Sequence, residues 1–282
     1  MKKSSTISIA AILLASLICT LACKKKSDTT TGTGSVPLVV TGNYSNITFT
    51  TVQFTGNVTD DGGSFVTKRG FCWSNSNQNP SVLNDTAVIG QGAGSFSGTI
   101  TGLKSQTNYY IRAYATNTNG TGYGSTYAIT TSTFSIGLTY QGGIIFYIDG
   151  TGQHGLIAAA NDQTVGCQWG CMGTAIGGTG TAIGTGQSNT TAIVNGCSAP
   201  DIAARICDNL TLNGYSDWYL PSKDELNQMC VQQSIIGGFA MSYYWSSSES
   251  GSNSAWLQGF GTGVPQSISK GNAAYMRAIR AF

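Results

Sequence analysis

Charge is scarce in this 282-residue chain, where charged residues make up only 9%. Long solvent-exposed helices want Glu and Lys on their outer face, so this shortage disfavours them. Histidine occurs once, at His154, which leaves little for a zinc site or for a Ser-His-Asp arrangement. The marked apolar run, 7–18, is too short to span a bilayer stably. No basic face is visible. Residues 35–133 carry four basic against three acidic side chains, and residues 134–282 carry five against eight. Nucleic-acid binding needs positive charge to replace condensed counterions, so that class is set aside. What the chain has instead is 38 glycines with abundant Ser, Thr and Asn, and a normal 40% of hydrophobic residues. That mixture suits short strands joined by many turns.

The N-terminus reads as an export signal. Lys2 and Lys3 precede the apolar run, and Thr20-Leu21-Ala22 leads into Cys23. The Leu-Ala-Cys ending resembles a bacterial lipobox, with Thr20 where Leu is usual. The resemblance implies lipid on Cys23 and a signal peptide over 1–22. The alternative is an ordinary secreted chain cut near Ala22. Residues 23–35 are polar and read as a disordered tether, with Lys24, Lys25 and Lys26 at headgroup level. The expected location is the bacterial outer membrane, facing either the cell surface or the periplasm, with the membrane itself as a partner through Cys23.

Residues 36–133 alternate in short strands separated by Gly-rich turns, as in a β-sandwich. Val66–Trp73 is one such strand. Leu103, Thr107 and Tyr109 lead into an alternating run in which Ile111, Ala113 and Ala115 face the core and Tyr110, Arg112 and Tyr114 face out. This spacing resembles the fibronectin type III pattern, with Tyr109 at the tyrosine-corner position and Ser105 where a proline often stands. Phe71, Trp73 and Tyr114 are candidates for an exposed aromatic patch; the competing reading puts Phe71 and Trp73 in the core.

Residues 136–282 form a second unit. A hairpin is predicted between 141–149 and 155–159, and a long loop over 168–187. Helical spacing follows at Ile202, Ala203, Ile206 and Leu210, and a second helix opens at Ser222 with Glu225 three later, a capping box. Leu226, Met229 and Cys230 form its inner face. Short strands at 243–246, 255–258 and 275–280 end the chain. The run from Gly214 through Asp217-Trp218-Tyr219-Leu220-Pro221-Ser222 to Leu226, then Tyr244-Trp245-Ser246, Ala255-Trp256 and Arg277-Ala278-Ile279-Arg280, resembles the DUF1566 family. That family includes the C-terminal domain of the Legionella collagen-like protein. The resemblance implies a C-type-lectin-like α+β fold, shared with formylglycine-generating enzymes, and a role in adhesion or glycosaminoglycan binding.

The chemistry-bearing residues narrow the reading. Cys72, Cys167, Cys171, Cys197, Cys207 and Cys230 belong to an exported chain, so some should pair, and their connectivity stays open. No metal site, cofactor motif or catalytic constellation is expected. The calcium-binding signatures of sugar-binding C-type lectins do not occur. The aromatics are dense: Trp218, Trp245 and Trp256 are expected in the core, while Trp169 and Tyr243 are expected at the surface. Lys270, Arg277 and Arg280 could form a basic cluster, or Arg277 and Arg280 could pair with Asp217, Asp224 or Glu225 as scaffold. The expected function is a surface-anchored adhesin or ligand-binding module, with glycans or a cell-surface protein as partner. A structural envelope role with a protein partner, and an enzyme of the formylglycine type, are the alternatives.

Overall fold

The computed structural model describes residues 34–177 and 179–282. The expected signal peptide, the Cys23 anchor and nearly all of the tether therefore lie outside the described residues. Among the described residues no helix is long and apolar enough to cross a membrane.

The first unit is a two-sheet sandwich. Its strands are β1 (Leu38–Ser45), β2 (Val52–Asp60), β3 (Lys68–Ser74), β4 (Asp85–Gly90), β5 (Gly94–Ile100), β6 (Asn108–Asn117), β7 (Gly120–Tyr123) and β8 (Tyr127–Thr130). One sheet runs β1-β2-β5 and the other β4-β3-β6-β7, with β8 on the first half of β6. Alternation places Val52, Phe54 and Val58 from β2 against Phe71, Ile111, Ala113 and Ala115 from β3 and β6, all buried. The tyrosine corner forms as expected. The Tyr109 hydroxyl accepts the Lys104 N–H at 3.0 Å, which satisfies a backbone donor at the turn.

The expected aromatic patch does not form, because Phe71 and Tyr114 are 0% and 1% exposed and Trp73 packs against the core. Phe71 belongs to that core. The β3–β4 loop folds over the opposite face of the sheet, where Tyr114 lies. Arg112 Nε and Cys72 Sγ both donate to the Pro80 carbonyl, and the Tyr123 hydroxyl accepts from Val82 N–H.

The second unit contains β9 (Thr139–Tyr140), β10 (Gly143–Ile148), β11 (Gly155–Ala158), β12 (Thr164–Gln168), α1 (Gly186–Gly196), α2 (Ala203–Asp208), α3 (Lys223–Val231), α4 (Gln233–Ile236), β13 (Tyr243–Gly251), β14 (Ser254–Gly259), β15 (Pro265–Ser269), β16 (Ala273–Met276) and β17 (Ile279–Ala281). Its sheets run β17-β11-β10-β9 and β12-β16-β13-β14-β15. The capping box of α3 is complete. Ser222 Oγ accepts the Glu225 N–H, and Glu225 Oε2 accepts the Ser222 N–H at 2.7 Å. Leu226, Met229 and Cys230 are buried beneath the helix. The strand expected over 275–280 is broken in two, because Arg277 turns inward between β16 and β17. The end of the chain thus joins both sheets, with β16 beside β13 and β17 beside β11.

Candidate functional site

Four of the five expected ligand-contact residues prove to be scaffold. Lys270 and Arg277 are 0% exposed and Trp169 is 1% exposed, so the expected basic cluster and surface tryptophan do not exist. Arg280 is also buried. The reason is electrostatic: a buried cation persists only when paired and hydrogen-bonded. Lys270 Nζ pairs with Glu249, donates to the Thr174 carbonyl at 2.8 Å and lies over the Trp169 ring at 4.4 Å. The Trp169 indole N–H donates to the Ser246 carbonyl at 2.9 Å.

Arg277 Nε donates to Asp162 Oδ1 at 2.7 Å, its other nitrogens donate to the Gly237 and Gly238 carbonyls, and the guanidinium covers Phe239. Asp162 was not among the expected partners. Arg280 grips Asp217 through two bonds of 2.8 and 2.7 Å, one of the pairings the sequence offered. These partners set the acidities. Arg280 holds the Asp217 carboxyl below its ordinary value. Burial pushes the Glu249 carboxyl up, but Lys270 and the N–H groups of Ile176 and Gly177 outweigh it and leave it low. Burial raises the Glu225 carboxyl, against the opposing N–H bonds of Ser222 and Gly184.

Tyr243 stays at the surface, 37% exposed, and its hydroxyl accepts from Gln266 Nε2 at 3.3 Å. Trp218 and Trp245 are buried, whereas Trp256 is only half-buried, with Lys223 Nζ 4.1 Å from its ring centre. Among the described residues one disulfide forms, Cys171–Cys197. Cys72, Cys167, Cys207 and Cys230 are separate buried thiols, and burial pushes Cys72 up to about 11 and Cys167 to about 12. Thiols so disfavoured as thiolates are poor nucleophiles.

One concave feature that could hold a ligand lies where the two units meet. It is a cleft of about 500 Å³ lined by Thr50, Leu103 and Lys104 from the first unit, Phe134 from the connection, and Tyr140, Gln141, Thr151, Gln153, His154 and Phe282 from the second. Its floor is aromatic. Phe134 and Phe282 meet edge to face at 4.8 Å, Phe134 and Tyr140 meet tilted at 5.0 Å, and Phe49 stacks on Phe134 at 4.5 Å. A polar latch closes one side. Ser105, 1% exposed, donates its N–H to Gln153 Oε1 at 3.0 Å and its hydroxyl to the Gly152 carbonyl at 2.7 Å, and its own carbonyl accepts from Gln153 Nε2 at 2.9 Å. The departure from proline at this position therefore has a use: proline lacks both donors. Residues 50, 103, 134, 154 and 282 are far apart in sequence, so no local motif announces the cleft. Phe134 was the available signal, the one aromatic residue in the connection between β8 and β9.

Comparison with known proteins places the second unit first. Residues 158–280 match the family model of the Lcl C-terminal domain. Among solved structures, the sensor domain of the anti-sigma factor RsgI4 from Pseudobacteroides cellulosolvens is similar at 21% identity, covering 35% of this chain and 96% of that one, with a TM-score of 0.27. The third fibronectin III domain of the human KIAA0343 protein is similar at 19% identity, covering 38% and 92%, with a TM-score of 0.28. A fibronectin III domain of human collagen XX shares 18% identity over 35% and 94%, with a TM-score of 0.27. No curated protein matches the chain.

Proposed function

We propose that this chain is an exported binding lipoprotein, anchored by lipid on Cys23, that holds a ligand in the cleft between its two units. The observation that carries the reading is the cleft itself: an aromatic cluster with polar side chains beside it, at a domain junction, where ligand sites concentrate. Binding rather than catalysis is the role that such a lining supports. We read the second unit as C-type-lectin-like, supported by the return of β17 to the sheet that begins with β9 and β10. The sandwich would serve as a spacer from the outer membrane that also forms one wall of the site. Saturation-transfer NMR of the full chain against a mixed library of glycans and small ring compounds tests this. Filling the cleft by His154→Trp should abolish the signal of any hit; hits that persist in a folded His154→Trp variant would place the site elsewhere.

A second reading keeps one specific support. Tyr243 presents an exposed ring with the Gln266 amide beside it, a pairing suited to stacking on a sugar and bonding its hydroxyls. Glycan-array binding by the full chain that survives His154→Trp and disappears in Tyr243→Ala would support an adhesin acting through this rim.

A further inference from the structure

The cleft's polar groups are not all free to read a ligand. Gln141 is committed, since its Oε1 accepts from Arg280 at 2.7 Å and its Nε2 donates to the Tyr140 hydroxyl at 3.1 Å. Gln153 is committed at both amide atoms to Ser105. Thr151 Oγ1 donates to Asp149 Oδ1 at 2.6 Å, which also keeps that carboxylate turned into its own loop. A sugar site needs several such amides and hydroxyls free to bond the ring hydroxyls, and here both amides and the Thr151 hydroxyl are spent within the protein, which leaves the Thr50 hydroxyl.

Three polar side chains of the lining make no side-chain hydrogen bond among the described residues, Thr50, Lys104 and His154, and of these only Lys104 carries a fixed charge. Among the described residues Lys104 has no carboxylate within ion-pair distance and no Asp or Glu lines the cleft; the terminal carboxylate of Phe282, a lining residue, makes no ion pair with it. An unpaired ammonium beside an aromatic cluster selects for charge as well as shape. The floor selects for a flat ring. Phe282 packs edge to face on Phe134 and Tyr140, at 4.8 and 5.4 Å, those two meet tilted at 5.0 Å, and a further ring would extend the same cluster.

We propose that the cleft takes a small aromatic acid, its ring against Phe134, Tyr140 and Phe282 and its acidic group on Lys104 with His154 beside it. This rests on the cleft being the ligand site. Because Lys104 belongs to the first unit and His154 to the second, the ligand touches both and holds them together.

Calorimetric titration of the full chain with four probes separates the two claims. Indole-3-acetate carries ring and charge, indole-3-acetamide the ring alone, cyclohexylacetate the charge alone, and methyl β-glucopyranoside stands for a sugar. Indole-3-acetate should bind about tenfold tighter than the amide, the gain of one charge-assisted contact. It should also exceed cyclohexylacetate, and Lys104→Ala should bring it down to the level of the amide. The Lys104 side chain is exposed and its N–H bond to Tyr109 belongs to the backbone, so this variant keeps the fold. Equal binding of acid and amide, or of indole-3-acetate and cyclohexylacetate, would overturn the aromatic-acid proposal while leaving the cleft as the site. Binding of the glucoside alone, lost in His154→Trp, would do the same. Binding of indole-3-acetate that is unchanged by both Lys104→Ala and His154→Trp, or of no probe at all, would overturn proposal and site together.

Discussion

Replacing Lys270 by methionine should be among the most damaging single changes in the second unit. Its ammonium is fully buried and its partner Glu249 has a side chain only 8% exposed. Methionine has nearly the same length, so packing over Trp169 is largely kept and the loss is electrostatic. Breaking a buried pair by removing one partner costs about 3–5 kcal/mol, because the remaining charge is left uncompensated. Glu249 would keep the N–H groups of Ile176 and Gly177, at 2.9 and 3.0 Å, which places the cost nearer the lower limit. Urea unfolding followed by tryptophan emission is the natural assay, since Trp169 lies under the ammonium. The second variant matters more than the first. Glu249→Gln in the Lys270→Met background removes the stranded charge while its amide oxygen can still accept one of those N–H groups. It should recover at least about half of the loss. A single-variant cost under about 1 kcal/mol, or a double variant no better than the single, would refute the buried-pair reasoning.

Other expectations follow from the same physical arguments. Glu249 is held below the ordinary glutamate value of 4.5, so its ionised form stabilises the fold above that pH and the contribution fades as pH falls. The stability gap between the wild-type chain and Glu249→Gln, followed by thermal melts, should shrink steadily below pH 4.5; a gap that grows would reverse the sign. Gln258 is 1% exposed and neither amide atom has a partner, so Gln258→Met should be neutral or stabilising by about 1 kcal/mol, read from the urea midpoint. The four buried thiols should resist maleimide in the folded chain and label fully in urea, whereas labelling of Cys72 or Cys167 at neutral pH without denaturant would contradict their burial. Ser105→Pro should remove the inter-unit donors, at about 0.5–1.5 kcal/mol each, and separate the melting of the two units; an unchanged single transition would show that the latch does not couple them.

The features legible in the sequence were those written in local spacing. The tyrosine corner needs only Leu103, Thr107 and Tyr109, and the capping box only Ser222 and Glu225. The hairpin of β10 and β11 is two apolar runs around a turn. Helix α1 escaped notice because Gly186–Gly196 carries just Ile193 and Val194 as large apolar residues, too few for a periodic stripe. The fate of the basic residues was hidden for another reason. Lys270 and Glu249 are 21 residues apart and Arg277 and Asp162 are 115 apart, so only the tertiary fold could show these charges to be partners rather than a binding face. Composition could not decide between an exposed Trp169 and one roofed by an ammonium. The cleft gathers five distant segments and was likewise out of reach.

The division of the final segment between the two sheets has a kinetic consequence. Residues 273–276 stand between β12 and β13 in one sheet, while 279–281 form an edge of the other, paired to β11 more than a hundred residues earlier. Neither sheet can reach its full width until this stretch is available. A chain made from its N-terminus would complete the sandwich while the second unit waited, its hairpin and helices without their closing strand. Loop-closure entropy for such distant pairings makes folding slow. The second unit should therefore stay open to threading and to proteolysis long after the first has closed, then form cooperatively when its last segment arrives.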